Sequence, residues 1–450
     1  MGDAMTTEPL GRDPSPQRRT QVRWSVIALL FVITTINYAD RATFSIAGQS
    51  ASVDLGLGPV AMGYILSAFA WSYVISQIPG GALLDRFGTK RIYIAALVLW
   101  SFFTAAQGFA GAFTGLTAAI FLFGMRFMMG LAEGPSFPAN GRIVAAWFPG
   151  SERGTASAIF NSAQYFSLVA FAPLMGWLVH SFGWHSVFFV MGGIGLLAAF
   201  VFAKFIHAPT DHPRINKAEF DYIEAGGGIV RLEDKTATRG KAFNWTNLKQ
   251  VLSNRMLLGV YLGQYCIVTL TYFFSTWFPI YLVQERGMTI LEAGFAAAAP
   301  ALSGFIGGLA GGVISDRILK STGNLTVARK APLLIGMLLA TAIIACNFVS
   351  EPWLVLTIMA VAFFGKGVAS LGWAVVSDTS PKELAGVTGG VFNTFGNIAG
   401  IVTPIVIGYI VAATGSFQWA LVYVGAHCII AILAYFGIVG RIERLSLKAV

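Results

Sequence analysis

The chain has 450 residues, of which 56% are hydrophobic and only 11% charged. Soluble globular domains carry about 25% charged residues, so this composition excludes a soluble enzyme and points to a polytopic membrane protein. The net charge of +9 therefore asks for a membrane explanation before a nucleic-acid one.

Residues 1–23 are polar and hold Arg12, Arg18, Arg19 and Arg23. They are too long and polar for a signal-peptide head, and read as a disordered cytoplasmic tail. Twelve apolar spans follow, at 24–44, 60–84, 91–112, 116–141, 154–180, 184–206, 256–283, 289–314, 331–349, 353–377, 385–413 and 417–440. Each is long enough to cross about 30 Å of hydrocarbon as a helix. An even number puts both termini on one side. Of the 30 Lys and Arg, 26 fall in the N-terminal tail and the segments on its side, and only Arg286 falls opposite. The other three, Arg41, Arg126 and Lys366, lie within spans. That asymmetry predicts cytoplasmic termini and accounts for the positive charge without a nucleic-acid partner. Residues 207–255 form the one long polar stretch, a cytoplasmic linker between a 24–206 half and a 256–440 half. Near 217–225 it reads as an amphipathic helix lying on the membrane surface. Residues 441–450 form a second cytoplasmic tail.

The spans carry charges where charge is expensive. Span four holds Arg126 and Glu133, seven residues apart and so on one helical face. An ionised group at mid-bilayer costs about 2.5–3.5 kcal/mol by insertion scales. The pair is either a structural ion pair between helices or an anion site beside a titratable carboxylate. Pro135 and Pro138 predict a bend just beyond it. Asn37-Tyr38-Ala39-Asp40-Arg41 places two more charges in the outer half of span one. Neighbouring side chains diverge by about 100°, so Asp40 and Arg41 need not pair. A snorkelling Arg41 with a helix-end Asp40 is the plainer alternative. Gln164, Gln264 and Asn393 are amides inside spans, where an unpaired polar group is costly; each taken alone also suits a helix–helix hydrogen bond. The three cysteines, Cys266, Cys346 and Cys428, all fall in spans and predict no disulfide. No His/Cys ligand spacing predicts a metal, and no phosphate loop or other cofactor motif occurs. The proton gradient is the energy source left.

The two halves repeat. Gly81-Ala-Leu-Leu-Asp85-Arg86 recurs as Gly312-Val-Ile-Ser-Asp316-Arg317, an offset of 231. Phe160-Asn161 recurs as Phe392-Asn393, Pro173 as Pro404 and Gly183 as Gly415, at offsets of 231 or 232. A constant offset over four pairs is an internal duplication of a six-helix unit. The fold class is therefore all-α, with twelve transmembrane helices in two pseudo-symmetric halves and a site between them near mid-membrane.

The stretch Gly81-Ala-Leu-Leu-Asp85-Arg86-Phe-Gly88-Thr-Lys90-Arg91 resembles the loop motif of the major facilitator superfamily at every fixed position. Gly81 would allow close helix approach, Gly88 a tight turn, and Asp85 could sit at a facing helix N-terminus. The resemblance implies a conformational latch, shared by Arg86 and, in the repeat, by Asp316 and Arg317. The Asn37–Arg41 stretch, together with Arg126-Phe-Met-Met-Gly-Leu-Ala-Glu133-Gly-Pro135-Ser-Phe-Pro138, resembles the anion:cation symporter family of that superfamily. Gln77-Ile-Pro-Gly-Gly81, Asn161-Ser-Ala-Gln164-Tyr165, Gln264-Tyr265-Cys266, Phe364-Gly-Lys366-Gly and Gly372-Trp373-Ala resemble its bacterial aldarate permeases, over essentially residues 24–445.

The resemblance implies a monomeric, multi-pass carrier of the bacterial inner membrane that imports a sugar-acid anion with H+. Glucarate or galactarate is the expected substrate; a hexuronate, galactonate or another organic anion is the alternative. It implies that Asp40 and Glu133 take protons and that Arg41 and Arg126 bear on the anion and on Glu133. It further implies that Tyr38, Tyr73, Gln164, Gln264, Ser370, Trp373 and Asn393 line the site. A membrane enzyme using Glu133 as general base is a remote alternative, for which a twofold repeat has no purpose. Lys366 lies near mid-membrane in span ten, the counterpart of span four, and could face Arg126 across a central cavity. A diacid has a carboxylate for each of them. Lys366 could equally pair with Asp378 or Glu133, or snorkel.

Overall fold

Inside lipid each backbone N–H and C=O must find its partner within the segment, so an apolar run of about twenty residues becomes a helix. The computed structural model describes residues 18–150, 152–231, 245–380 and 385–445. Among these are 12 helical segments long and apolar enough to cross a membrane, matching the expected spans one for one. The first half comprises α1 (Val22–Leu55), α2 (Pro59–Phe87), α3 (Thr89–Ala106), α4 (Gly115–Glu133) with α5 (Ser136–Trp147), α6 (Arg153–Phe182) and α7 (Trp184–Phe205). The connection carries α8 (Lys217–Ala225) and α9 (Trp245–Ser253). The second half comprises α10 (Arg255–Tyr272) with α11 (Phe278–Gln284), α12 (Ile290–Thr322), α13 (Leu325–Ala340), α14 (Pro352–Ala369) with α15 (Gly372–Thr379), α16 (Ala385–Thr414) and α17 (Gln418–Leu433). The duplication survives in detail: α3 and α13 each end in a 3₁₀ turn, Gln107–Ala112 and Thr341–Phe348.

Helix α1 has 34 residues and runs well past the expected end of span one. Its outer turns carry polar residues that meet the other half, not lipid: Gln284 donates to the Gln49 amide oxygen. Asp40 and Arg41 therefore sit at the middle of α1, not in its outer half. A guanidinium more than 20 Å from either end of the helix cannot snorkel, at about 1.5 Å of rise per residue.

Two long helix pairs join the halves, α6 along α12 and α16 along α2. They are equivalent under the duplication, and so are the glycines at their closest points. A Cβ on Gly176 would lie 3.2 Å from the Cα of Gly294; one on Gly408 would lie 3.3 Å from the Cα of Gly63 and 2.6 Å from the Pro59 carbonyl oxygen. Gly408 and Gly294 are the repeats of Gly176 and Gly63. Small residues let helix backbones meet in lipid, where no hydrophobic force drives them together. These contacts, with the Gln49–Gln284 bond and a 3.5 Å approach of the Tyr64 and Tyr409 hydroxyls, lie on the side away from the termini. The halves are closed there.

Helix α8 is not a free amphipathic segment. It docks under the first half, with Ile223 and Glu219 fully buried. The Glu219 carboxylate accepts from the backbone N–H of Val22 (3.0 Å) and Arg23 (3.2 Å), from the Arg23 guanidinium (2.9 Å) and from the Thr20 hydroxyl (2.6 Å). It thereby satisfies donors at the start of α1 that no helical carbonyl can reach. Glu152 joins the cluster through Arg23 and Tyr222, both at 2.8 Å. Burial works against the Glu152 carboxylate, but the Arg23 and Tyr222 hydrogen bonds and the charges of Arg23 and Arg19 outweigh it and lower its pKa. The linker is thus part of the first half's structure as far as Arg231.

Candidate functional site

The first half builds its part of the site around Arg41. The guanidinium forms an ion pair with Glu133, which is fully buried at the end of α4. It is surrounded by the rings of Tyr38, Phe69 and Tyr73, whose centres lie 4.5, 4.7 and 4.8 Å from it, and also donates to the Asn37 side chain at 3.3 Å. The helix breaks at Gly134-Pro135, directly after Glu133. One carboxylate oxygen of Glu133 and the Arg41 Nε remain without a hydrogen bond, so the pair has unused capacity.

Arg126 does not pair with Glu133, although they share a face of α4. Its Nε donates to the Ile65 carbonyl at 2.9 Å and its Nη2 to the Arg41 carbonyl at 3.4 Å. It is 2% exposed, and its Nη1 has no partner. In this conformation Arg126 braces α4 against α1 and α2, and Arg41 is the cation that meets the carboxylate. Asp40, one residue away, points elsewhere. It is fully buried, neither oxygen has a hydrogen bond, and it faces the indole N–H of Trp100 on α3 and the backbone of Gly195 on α7. The structure thus gathers Tyr38, Arg41, Tyr73 and Glu133, and sets Arg126 and Asp40 behind them. Ionised groups on mid-membrane helices cost about 2.5–3.5 kcal/mol each, and their gathering in one half makes this cluster the candidate functional site.

The second half supplies Lys366, Ser370, Trp373, Gln264 and Asn393. Lys366 is 5% exposed in the last turn of α14. Its ammonium lies over the rings of Phe363 (5.1 Å) and of Tyr165 from the first half (5.5 Å). The expected protein acids are taken: Asp378 binds Arg329 at 2.8 Å, and Glu133 binds Arg41. The span breaks at Ser370-Leu371, where the exposed Ser370 hydroxyl donates to the Lys366 carbonyl at 2.8 Å. Trp373 follows, 57% exposed, with its ring against Phe392. Broken helices in spans four and ten put helix ends beside the candidate residues, an arrangement that carriers built from repeats use at their sites. Gln264 fits between α15 and α16, where Cβ atoms on Gly372 and Gly396 would touch it. Gln164 donates to its own helix at Asn161, 3.2 Å. Asn393 donates across the junction to Gln77 at 3.0 Å.

The loop motif divides. Gly88 has φ 88° and makes the turn between α2 and α3. Gly81 makes no close approach; Gly80 does, its Cβ position being 2.9 Å from the Pro135 nitrogen. The side chain of Asp85 lies outside the described residues, and Arg86 is exposed beside Phe87. In the repeat, Asp316 is largely exposed, 3.9 Å from Arg329, and Arg317 is exposed. Arg329, which also takes the Ser315 hydroxyl and Asp378, is the basic residue that ties this corner together. Sequence reasoning missed it, along with Phe69, Trp100, Tyr165 and Gln77. Tyr165 and Gln77 lie in stretches that carry the family resemblance. Trp100 is one tryptophan among eleven in an apolar chain and had no signal of its own.

A sequence model of the Major Facilitator Superfamily matches residues 30–328. The chain belongs to the Major Facilitator Superfamily. A protein of Bacillus subtilis (strain 168) named probable galactarate/D-glucarate transporter is 61% identical over 431 residues, 96% of this chain and 95% of that protein. One of the same name from Escherichia coli (strain K12) is 56% identical, covering 97% of each. The fold is similar to the crystal structure of a bacterial homolog to the human lysosomal transporter Spinster, inward-facing and unoccupied. There the TM-score is 0.71 at 16% identity, over 93% of this chain and 97% of that one. These superfamily relatives are transporters, which sets the membrane-enzyme alternative aside.

Proposed function

We propose that this chain is a proton-coupled symporter that imports galactarate or D-glucarate by alternating access between its two halves. The observation that carries the reading is the buried Arg41–Glu133 pair, ringed by tyrosines at the junction of the halves. A carboxylate that already occupies the only partly exposed guanidinium of the first half's cluster competes with an anionic substrate. A proton on Glu133 removes that competitor and frees Arg41 for the substrate carboxylate, so proton and anion bind together. Asp40 is the second protonation site, on the face of α1 turned toward α3 and α7. Gln164, Gln264, Asn393, Ser370 and Trp373 supply donors and acceptors for the hydroxyls. The relatives' names support an aldarate over a hexuronate or galactonate. The skewed Lys and Arg distribution supports an inner-membrane protein with both termini cytoplasmic, and hence a site closed toward the periplasm in this conformation.

The test is uptake of labelled galactarate by purified protein in sealed liposomes under an imposed pH gradient. Accumulation above equilibrium that collapses with a protonophore is expected. Uptake that only equilibrates would sink the symport reading, and unlabelled hexuronate outcompeting both aldarates would sink the substrate assignment.

A further inference from the structure

Lys366 is a cation nine-tenths buried at the junction of the halves, and no acid or hydrogen-bond acceptor holds its ammonium among the described residues. Two aromatic rings attract it, but a ring does not neutralise a charge. The acids within its half and across from it are engaged or turned away: Asp378 with Arg329, Glu133 with Arg41, and Asp40 toward Trp100. The ammonium reaches over to Tyr165 on α6, and Tyr165 lies within electrostatic reach of Tyr38, whose ring backs Arg41. Each half thus carries a cation set against tyrosine rings of the first half, Arg41 with an internal counter-ion and Lys366 with none among the described residues.

We propose that Lys366 binds the second carboxylate of a dianionic sugar acid and makes the carrier select diacids over mono-acids. The inference rests on the functional reading above, in which Arg41 takes the first carboxylate. A diacid completes the charge balance at both ends. A mono-acid offers a hydroxymethyl group to Lys366 and leaves the ammonium without a counter-charge. Because the two cations belong to different halves, a diacid also bridges the halves as it binds. Lys366 stands in the last turn of α14, where the helix dipole favours a cation.

The test compares galactarate with galactonate in the same liposomes, by counterflow without a pH gradient. Lys366→Gln should weaken galactarate by about tenfold or more, the loss of one hydrogen bond to a charged group, and change galactonate by less than about twofold. Equal loss for both substrates would overturn the proposal. Lys366→Met, apolar and of similar length, carries the same comparison should the Gln variant fail to fold. Wild-type protein that takes up neither aldarate would refute the functional reading itself, a result separate from any effect at Lys366.

Discussion

Replacing Glu133 by Gln tests the coupling directly. The variant keeps the shape and one acceptor but removes the charge that occupies Arg41, a side chain 18% exposed against a carboxylate at 0%. Close charge pairs couple by about 1.5–7 kcal/mol, which sets the scale of the competition that substrate must overcome when Glu133 is ionised. If one proton lifts that competition, wild-type affinity falls by up to about tenfold per pH unit, or 1.36 kcal/mol, as the pH rises through the coupled range. Glu133→Gln should bind substrate with an affinity flat in pH. It should exchange labelled for unlabelled substrate, and lose accumulation. Under a one-unit gradient the wild type concentrates substrate up to about tenfold per coupled proton, and the variant not at all. Calorimetric titration across pH and pH-jump uptake in liposomes measure the two halves of this statement. A variant that still accumulates substrate, or whose affinity tracks pH like the wild type, would refute the Arg41–Glu133 exchange. Removing one member of a buried pair also destabilises by about 3–5 kcal/mol, so a lower Tm that substrate restores is part of the expected result.

Asp40→Asn should abolish accumulation while sparing exchange, since the Asp40 carboxylate faces Trp100 and Gly195 within the first half; unimpaired accumulation in uptake assays would remove it from the proton path. Arg126→Lys should lower both Tm and substrate affinity, because a lysine cannot span the Ile65 and Arg41 carbonyls at once, and each lost charged hydrogen bond costs about 1.5–3 kcal/mol. Near-normal calorimetric affinity and Tm would contradict the bracing role. Gly63→Ala places a methyl 2.6 Å from the Pro404 carbonyl oxygen, a backbone atom that cannot step aside. At about 1–3 kcal/mol of overpacking it should shift the population toward the state open on the far side, read as faster labelling of a cysteine introduced at Tyr64. Unchanged labelling would mean that this contact does not hold the far side shut. Glu152 has a folded pKa below its ordinary 4.5, so its contribution is fully present above that value and is lost as the pH falls through the folded value. Hydrogen-exchange protection over residues 217–231, measured against the intrinsic rate at each pH, should therefore fall in acid below about pH 4.5, and Glu152→Gln should remove that acid step.

Hydropathy and duplication determined the architecture without coordinates. A bilayer demands about twenty apolar residues per crossing, and a charge left inside such a run is costly enough to stand out, so the spans, Asp40, Arg41, Arg126, Glu133 and Lys366 were legible in the chain. Their partners were not. A helical wheel puts Arg126 and Glu133 on one face of α4, yet Glu133 bonds to Arg41 of α1, because the way the helices rotate against one another is set by packing such as the close fit of Gly134 on Ser76 of α2. The same packing exchanged Gly81 for Gly80 at the contact with Pro135. It also turned Asp40 toward a tryptophan that nothing in the sequence marked. Helix α8 reads locally as a membrane-surface segment; only the tertiary structure brings its Glu219 to the start of α1, nearly two hundred residues back, where unpaired N–H groups need an acceptor. Hydrophobic periodicity decides which residues enter the membrane. Which side chains meet there depends on how helices far apart in sequence rotate against one another, and that is a property of the whole packed bundle.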